Sequence, residues 1–439
     1  MSLSEFQTQL NGLTLGRMQG RVTEIGPSYL YADGPFCAPG DVCVIKGRDG
    51  REVCRAEVVG AKTGQVTLMP LETAPRIMPN FLVELADDQG EAPVGDAFGN
   101  RMVDALGAPI DEQGALVPNA QRPLAGRVPT PLERDPKIAA LETGIKAIDT
   151  LIPIAKGQRI GIFAASGVGK TTLVTQIARQ TDCDRCILCL VGERGREVEA
   201  MWSSILSGIS AAELTAVVAT SDQPATMRVR AVEQALALAE YWRDQGEHVV
   251  IIVDSITRYA MALREVGLAA GAPPTMRAYT PNVFAALPRV VERCGAIAQG
   301  GSITGIFSVL SETDDVDDPI VEAMKSYLDG HILLSRELAE SGQFPAIDIP
   351  RSISRLAPDL LRGPRLERSR DVVRVLSTYR RSRMLIESGM YQPGSDPEID
   401  RAIALKEALQ TYLGQGATER VQSGRADSQL GALMGDGRV

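Results

Sequence analysis

The sequence predicts an α/β protein of about three domains, with a small β-barrel before the α/β core and helices after it. Its 439 residues exceed the length of one ordinary domain. Apolar runs alternate with helical stretches between Gly157 and Pro350. Such alternation predicts a largely parallel sheet with helices on both faces. Short alternating apolar stretches between Gly20 and Leu85 predict the barrel instead.

The first predicted domain spans residues 1–90 and combines an N-terminal segment with the barrel. Its strand candidates are Val42–Ile45, Val53–Val59 and Val66–Leu68, punctuated by turn residues such as Gly47–Gly50. Glycine and proline are frequent from Gly95 to Pro136, which predicts an irregular connection. We therefore expect the second domain, at 91–361, to begin with a linker.

The second and third domains differ in the spacing of their apolar residues. Five short runs in the second domain predict buried strands: Ile160–Ala164, Cys186–Val191, Thr215–Thr220, Val249–Val253 and Ile303–Leu310. Apolar spacings of three and four predict helices at Thr171–Arg179 and Ala225–Arg243. The third domain, 362–439, is predicted to be helical, with a flexible tail fraying from Gly414 onward, where Gly, Ser and Gln are frequent.

Composition excludes several classes of function. The 46 basic and 55 acidic residues give a net charge of −9, so the chain as a whole is not built to neutralise a nucleic-acid backbone. Two histidines make histidine-based zinc or general-base chemistry a poor fit. Seven cysteines, with no secretory signal evident in Met1–Gly20, suggest reduced thiols in a cytoplasm.

One window departs from the acidic average. Arg351–Arg383 contains ten arginines and three acids, an excess of seven positive charges. Such a window could bind RNA, anionic lipid or acidic neighbouring subunits, or could be a solvated face.

A phosphate-binding loop is predicted at Ala164–Thr171, where Ala-Ala-Ser-Gly-Val-Gly-Lys-Thr follows a predicted strand and opens a predicted helix. Backbone N–H groups of such a loop cradle phosphates at the positive end of the helix. Lys170 would reach the β- and γ-phosphate oxygens, and Thr171 would place its hydroxyl on Mg²⁺. The predicted nucleotide-binding residues are Ala165, Ser166, Gly167, Val168, Gly169, Lys170, Thr171 and Thr172.

Two acids complete the predicted chemistry. Asp254 ends the apolar run that begins at Val249, as expected of a buried strand delivering a carboxylate to Mg²⁺. Glu193 follows another buried strand and so lies at the carboxyl edge of the sheet, where ligands bind in open α/β folds. We predict that Glu193 is the base that activates water, the alternative being a structural acid paired with arginine. Arg194 either contacts the γ-phosphate or pairs with an acid.

Several motifs together resemble the flagellar and type III protein-export ATPase family. They are the Gly-Glu-Arg-Gly-Arg-Glu run at Gly192–Glu197, Asp254–Arg258, Asp329–Ala339, Phe344–Asp348 and Ser352–Arg355. The family is itself similar to the catalytic subunits of rotary ATP synthases. The resemblance extends from about Leu15 to Ile403 and implies a protein-transporting, Mg²⁺-dependent ATPase with a RecA-like core.

The resemblance also implies a homohexamer with ATP bound between neighbouring subunits. Arg355 matches the arginine finger that completes the adjacent site, the alternative being an intrachain salt bridge. Phe344, where the family usually has tyrosine, and Tyr391 would flank the adenine, unless they are ordinary core residues. Ala165 stands where the family has glycine, and alanine would cost about 1 kcal/mol there if that position needs a positive φ.

The partners implied by the resemblance are proteins. Gly267–Pro281 resembles a loop facing a coiled-coil stalk protein in the ring pore, although Ala278 replaces a usual glycine. The N-terminal segment Ser4–Leu13 would dock a regulatory stator-like protein or the membrane. Export substrates, their chaperones and a membrane export gate would be further partners. The expected location is cytoplasmic, peripheral to the inner membrane at the base of the export apparatus.

Three other functions remain as alternatives to a flagellar export motor. A host-directed type III secretion ATPase would have nearly the same sequence. A non-hydrolysing ring subunit would lack a carboxylate at Glu193. A ring-shaped RNA translocase would share the core fold, but the barrel lacks a clear run of aromatics interleaved with basic residues, so no nucleic-acid partner is expected.

Overall fold

A computed structural model describes residues 18–86, 90–206, 213–310 and 318–435. Two units account for these residues: the chain up to Glu91 with Asp222–Arg230 and Met261–Val283, and the remainder. The segment Ser4–Leu13, predicted to dock a regulator, lies outside the described residues. The domain boundaries predicted at residues 90 and 361 stay predictions.

Six antiparallel strands close the predicted barrel, in the order β1-β2-β5-β4-β3-β6. The strands are β1 (Gln19–Ile25), β2 (Leu30–Ala32), β3 (Val42–Lys46), β4 (Glu52–Lys62), β5 (Gln65–Pro70) and β6 (Leu82–Leu85). Alternate residues point inward, so Cys54, Ala56 and Val58 of β4 are buried while their neighbours are not. The alternation seen in the sequence thus becomes the barrel's apolar interior.

The second unit is built on a nine-stranded sheet. The long run of its strands has the order β19-β18-β12-β17-β15-β13-β14-β8, and β16 pairs with β17. Its strands are β8 (Met102–Asp104), β12 (Arg159–Ala164), β13 (Arg185–Val191), β14 (Glu213–Ala219), β15 (His248–Asp254), β16 (Gly295–Ala296), β17 (Ser302–Leu310), β18 (Gly330–Leu333) and β19 (Ile353–Ser354). Two small sheets pair β7 (Glu91–Val94) with β9 (Ala120–Pro123) and β10 (Ala140–Leu141) with β11 (Ile154–Ala155).

The sheet is parallel from β18 through β8, and only its short members β16 and β19 run antiparallel. All five predicted strands are present, and every residue of β15 is buried. Continuous apolar runs suit such strands because helices cover both faces of a parallel sheet. The predicted fold class is therefore confirmed. The linker differs from prediction at two points, since its residues Met102–Asp104 form the edge strand β8 and Ala120–Pro123 form β9.

Twelve α-helices are found in the described residues. They are α1 (Lys146–Leu151), α2 (Lys170–Gln180), α3 (Gly195–Leu206), α4 (Ala225–Asp244), α5 (Ile256–Ala269), α6 (Pro281–Glu292), α7 (Pro319–Tyr327), α8 (Arg336–Glu340), α9 (Ala357–Leu360), α10 (Pro364–Glu387), α11 (Pro397–Leu413) and α12 (Ser423–Met434). The Asp-Pro pairs before α7 and α11 start these helices, because Asp318 and Asp396 accept N-cap bonds from the first turn.

The C-terminal helices are tied to the sheet unit by buried contacts. Val372 and Val375 of α10 join its main apolar cluster. Residues 423–434, predicted to fray, instead form α12, with Ala426 and Leu430 buried. Tertiary packing outweighs the weak helix propensity of this Gly- and Ser-rich stretch.

Between α11 and α12 the chain is fixed by the buried side chain of Gln415. Its Nε2 donates to the backbone oxygens of Gly144, at 2.7 Å, and Glu419, at 2.8 Å. Its Oε1 accepts the backbone N–H of Lys146 at 2.9 Å. The backbone N–H of Gln415 also donates to the Phe344 carbonyl at 2.8 Å. Gln415 therefore links the C-terminal helices to the loop that carries Phe344.

Candidate active site

The predicted phosphate loop connects β12 to α2. Two of its glycines need the left-handed region, Gly167 with φ 81° and Gly169 with φ 88°. Ala165 is not among the residues with positive φ, so the strain anticipated for alanine there is absent and gives no reason for slower turnover. Val168 is buried and anchors the loop, while Ser166, Gly167, Thr171 and Thr172 are exposed.

Lys170 and Asp254 meet at the carboxyl edge of the sheet. Lys170 begins α2 and Asp254 ends β15, and the ammonium donates to Oδ1 of the carboxylate. Ser308 of β17 also donates to Oδ1, at 2.6 Å. Asp254 is 1% exposed, and its other oxygen, Oδ2, is buried with no hydrogen-bond partner.

An unpartnered buried carboxylate oxygen is costly unless a cation or donor approaches it. Carboxylate and hydroxyl oxygens are the ligands that Mg²⁺ prefers. Thr171 supplies a hydroxyl in the first turn of α2, on the residue after Lys170. The donor set of Asp254 and Thr171 therefore fits a Mg²⁺ ion held with a bound nucleotide.

Glu193 leaves β13 on the same edge, between two cations. Its Oε1 lies 3.8 Å from Nζ of Lys170, and its Oε2 lies 3.1 Å from Nη1 of Arg258. Burial raises the pKa of Glu193, and the nearby Asp254 carboxylate adds to this, while Lys170 and Arg258 act in the opposite direction. A buried carboxylate with a raised pKa suits a general base.

Neither Arg258 nor Ser308 is among the predicted site residues, although both contact the predicted site. Arg258 lies on α5 and also donates to the backbone oxygen of Gly192. It follows Asp254 by four residues, a spacing that places side chains near one another when a helix opens there. Ser308 is the neighbour of Asp254 across the parallel pair, because Val253 is in register with Phe307. The sequence signal that could have identified Ser308 is a serine within the otherwise apolar end of β17.

The two other predicted arginines lie outside this cluster. Arg194 has a 67% exposed side chain, and its Nη1 lies 3.8 Å from Oε1 of Glu197. Arg355 is exposed and follows the edge strand β19. Within the described ranges no carboxylate of this chain forms an ion pair with Arg355, so the intrachain salt bridge considered as its alternative is not formed there.

The predicted adenine-flanking aromatics occupy different environments. Phe344 is 44% exposed and lies against the loop, since a Cβ added to Gly169 would meet the phenyl ring at 3.3 Å. Tyr391 is half-buried, with its hydroxyl 2.9 Å from the Asp396 carbonyl and 3.0 Å from Oδ1 of Asp400. Phe344 is therefore placed beside the phosphate loop, whereas Tyr391 is held by the start of α11.

The loop predicted to face the stalk contains residues in unusual conformations. Arg277 has φ 49° and Ala278 has φ 61°, both in the left-handed region that favours glycine. The missing glycine noted at Ala278 in the sequence thus coincides with a position where glycine is preferred. Tyr279 follows and is buried.

A lysine-bearing loop between a parallel strand and a helix, with two carboxylates at the same edge, defines a P-loop nucleoside triphosphatase. Family models agree: residues 144–354 match the ATP synthase alpha/beta family nucleotide-binding domain, and residues 364–432 match the type III secretion EscN ATPase C-terminal domain.

Relatives match nearly the full chain. The flagellum-specific ATP synthase of Bacillus subtilis is 42% identical, with 95% of each chain covered. The type 3 secretion system ATPase of Xanthomonas euvesicatoria is 39% identical, covering 93% of this chain and 92% of its own. The solved structure of assembled EscN from enteropathogenic E. coli has 37% identity and a TM-score of 0.88, covering 94% of this chain and 99% of that one. EscN solved with its central stalk EscO has 36% identity and a TM-score of 0.84, with the same coverage.

The chain belongs to the family of flagellar and type III secretion export ATPases. It is a nucleotide-binding ATPase of a type III export apparatus, as the resemblance implied. Among the described residues, no helix is both long enough and apolar enough to cross a membrane.

Proposed function

We propose that ATP binds at the loop Ala165–Thr172 with Mg²⁺ held by Thr171 and Asp254, and that Glu193 activates the attacking water. The observation that carries this proposal is the meeting of Lys170, Glu193 and Asp254 at one edge of the sheet. Lys170 contacts both carboxylates, and a γ-phosphate would compete with them for its ammonium. Bound Mg²⁺ would neutralise charge on the phosphate oxygens.

Glu193 carries the proton-transfer step. Its raised pKa makes it a better proton acceptor than a solvent-exposed carboxylate, while Lys170 and Arg258 oppose that rise and favour the ionised form. Glu193→Gln keeps the size and polarity of the side chain but removes the base. We expect it to lower kcat by about 10²–10⁴-fold with ATP affinity retained. Turnover at the wild-type rate would overturn the assignment of Glu193.

Assembly into a homohexamer is proposed from the position of Arg355. It is exposed, follows an edge strand and has no carboxylate partner in the described chain, which leaves its guanidinium available to a neighbouring subunit. Identical subunits could then complete one another's sites. Arg194 is the weaker candidate, because it lies near Glu197. EscN, the structural relative, is solved in an assembled form.

The system served is proposed to be flagellar. The relatives that match this chain at 42%, 41% and 40% identity are all flagellum-specific, and the secretion ATPase of Xanthomonas follows at 39%. The chain would couple ATP hydrolysis to unfolding and delivery of export substrates, with their chaperones, at a membrane gate. Deleting the gene should stop assembly of the flagellar filament and leave other secretion intact. Loss of host-directed secretion instead would support the alternative function.

The remaining partners follow from the same family. EscN has been solved with its central stalk EscO, which supports a coiled-coil stalk protein at Gly267–Pro281. A stator-like regulator at Ser4–Leu13 and a location in the cytoplasm, peripheral to the inner membrane, are proposed from the resemblance. No nucleic acid is expected as a partner.

A further inference from the structure

A cavity of about 940 Å³ lies beside the base of the phosphate loop, within the sheet unit. Its walls come from the end of β12, the chain after β18, and helices α7, α10 and α11. The volume falls within the range of small-molecule sites in proteins. Much of the lining is apolar, including Phe163, Leu334, Ile347 and Leu376.

This cavity adjoins the proposed ATP site but shares only Ala165 with it. Of the phosphate loop it is lined only by Ala164 and Ala165. Lys170, Glu193 and Phe344 do not line it. A molecule in the cavity would therefore need its own recognition chemistry.

The charged groups around the cavity are unbalanced. Six are basic and three are acidic: Lys325, Arg336, Arg351, Arg380, Arg383 and Lys406, against Glu337, Asp348 and Glu387. All three acids are already paired. Asp348 lies 3.1 Å from Arg380, and Arg383 contacts both Glu337 and Glu387. Lys325 pairs at 2.9 Å with Glu322 outside the lining.

Three cations are left without a carboxylate in the described parts of the chain, namely Arg336, Arg351 and Lys406. Arg336 and Arg351 are exposed, so water hydrates their charges and counterions screen them. Lys406 is half-buried on α11, and its ammonium donates to Tyr379, 2.7 Å from the hydroxyl and 4.5 Å from the ring centre. A partly desolvated ammonium facing an apolar cavity favours an anion beside it.

We propose that this cavity is a binding site for a small amphipathic anion, with an apolar body against Leu334, Ile347 and Leu376 and a single acidic head on Lys406. Apolar walls with a few converging polar groups are the usual composition of such sites. The aromatic hydroxyl of Tyr379 fixes the direction of the ammonium, so the head group is selected by position as well as by charge.

The test uses two fluorescent probes that share an apolar body. 1-Anilinonaphthalene-8-sulfonate is anionic, and N-phenyl-1-naphthylamine is its neutral counterpart. Both are titrated into the full-length protein with saturating ADP and Mg²⁺, so that the ATP site is occupied. We expect one saturable site for the sulfonate per chain and at least tenfold weaker binding of the neutral probe.

Lys406→Met removes the charge and keeps the length of the side chain. We expect it to weaken sulfonate binding about tenfold and to abolish the difference between the two probes. Lys137→Met, at an exposed lysine away from the cavity, should leave both affinities unchanged. Leu376→Trp fills the cavity and leaves the charge of the protein unchanged. It should remove binding of both probes.

Two results would overturn the proposal. One is the absence of saturable sulfonate binding while ADP is bound, which would mean that the probe has no site apart from the nucleotide site. The other is equal binding of the two probes to the wild type, or unchanged sulfonate affinity in Lys406→Met. Because ADP remains bound throughout, failure of the proposed ATPase chemistry and failure of this second site are distinguishable.

Discussion

Replacing Arg258 by Gln should shift the pH dependence of ATP hydrolysis toward alkaline pH. The guanidinium lies 3.1 Å from the Glu193 carboxylate and opposes the rise of its pKa. At that distance two unit charges interact by about 1 kcal/mol in water and about 5 kcal/mol at an effective dielectric constant of about 20. Arg258 is 30% exposed, so the lower end of this range applies. One pKa unit corresponds to about 1.4 kcal/mol.

The direction of the pH shift follows from the fact that the Arg258 cation favours the ionised form of Glu193. Removing it disfavours the carboxylate, so the pKa of Glu193 rises further and the base is deprotonated only at higher pH. The acidic limb of kcat/KM against pH should move up by about one unit, with activity recovered at alkaline pH. Arg258→Lys keeps the charge and should move the limb less. An unmoved limb in an active Arg258→Gln enzyme would refute the role of Glu193 as the titrating base.

Five further substitutions, at four residues, test other predictions. Phe344→Ala should raise KM for ATP about tenfold with kcat little changed, because aromatic stacking on a base contributes about 1–3 kcal/mol, whereas Phe344→Tyr should bind normally. Ala278→Gly should raise the free energy of unfolding by about 0.5–1 kcal/mol, since φ there is 61°, while Ala165→Gly should bring no gain in stability or turnover. Gln415→Ala should lower the free energy of unfolding by about 1–3 kcal/mol, because the buried backbone N–H of Lys146 loses its acceptor, while the Gly144 and Glu419 carbonyls keep other donors. Urea denaturation measures the free energy of unfolding for the variants at Ala278, Ala165 and Gln415. An increase in stability in Ala165→Gly, or unchanged stability in Gln415→Ala, would contradict these predictions.

The core of the fold was predictable because its strands are long, apolar and buried on both faces. The run Val249–Val253 is apolar at every position, so both of its faces must be buried. It forms the fully buried strand β15. The phosphate loop was predictable for a different reason: its glycines are required by backbone conformation, as Gly167 and Gly169 show.

Elements fixed by distant contacts were not predictable. Met102–Asp104 is too short to show a period, and it becomes a strand only because β14 offers an edge to pair with. Helix α12 has weak propensity and is stabilised by the burial of Leu430. The same limit applies to the site. Ser308 approaches Asp254 through the register of β15 and β17, which a single sequence does not specify.

Whether Arg355 acts on a neighbouring subunit is tested most directly by mixing two inactive variants, Glu193→Gln and Arg355→Ala. In a randomly mixed ring, about a quarter of the sites would combine Glu193 of one chain with Arg355 of its neighbour. We expect ATPase activity, absent from either variant alone, to reappear in the mixture at about a quarter of the wild-type rate per chain. Activity that stays at the level of the separate variants would contradict a site shared between subunits.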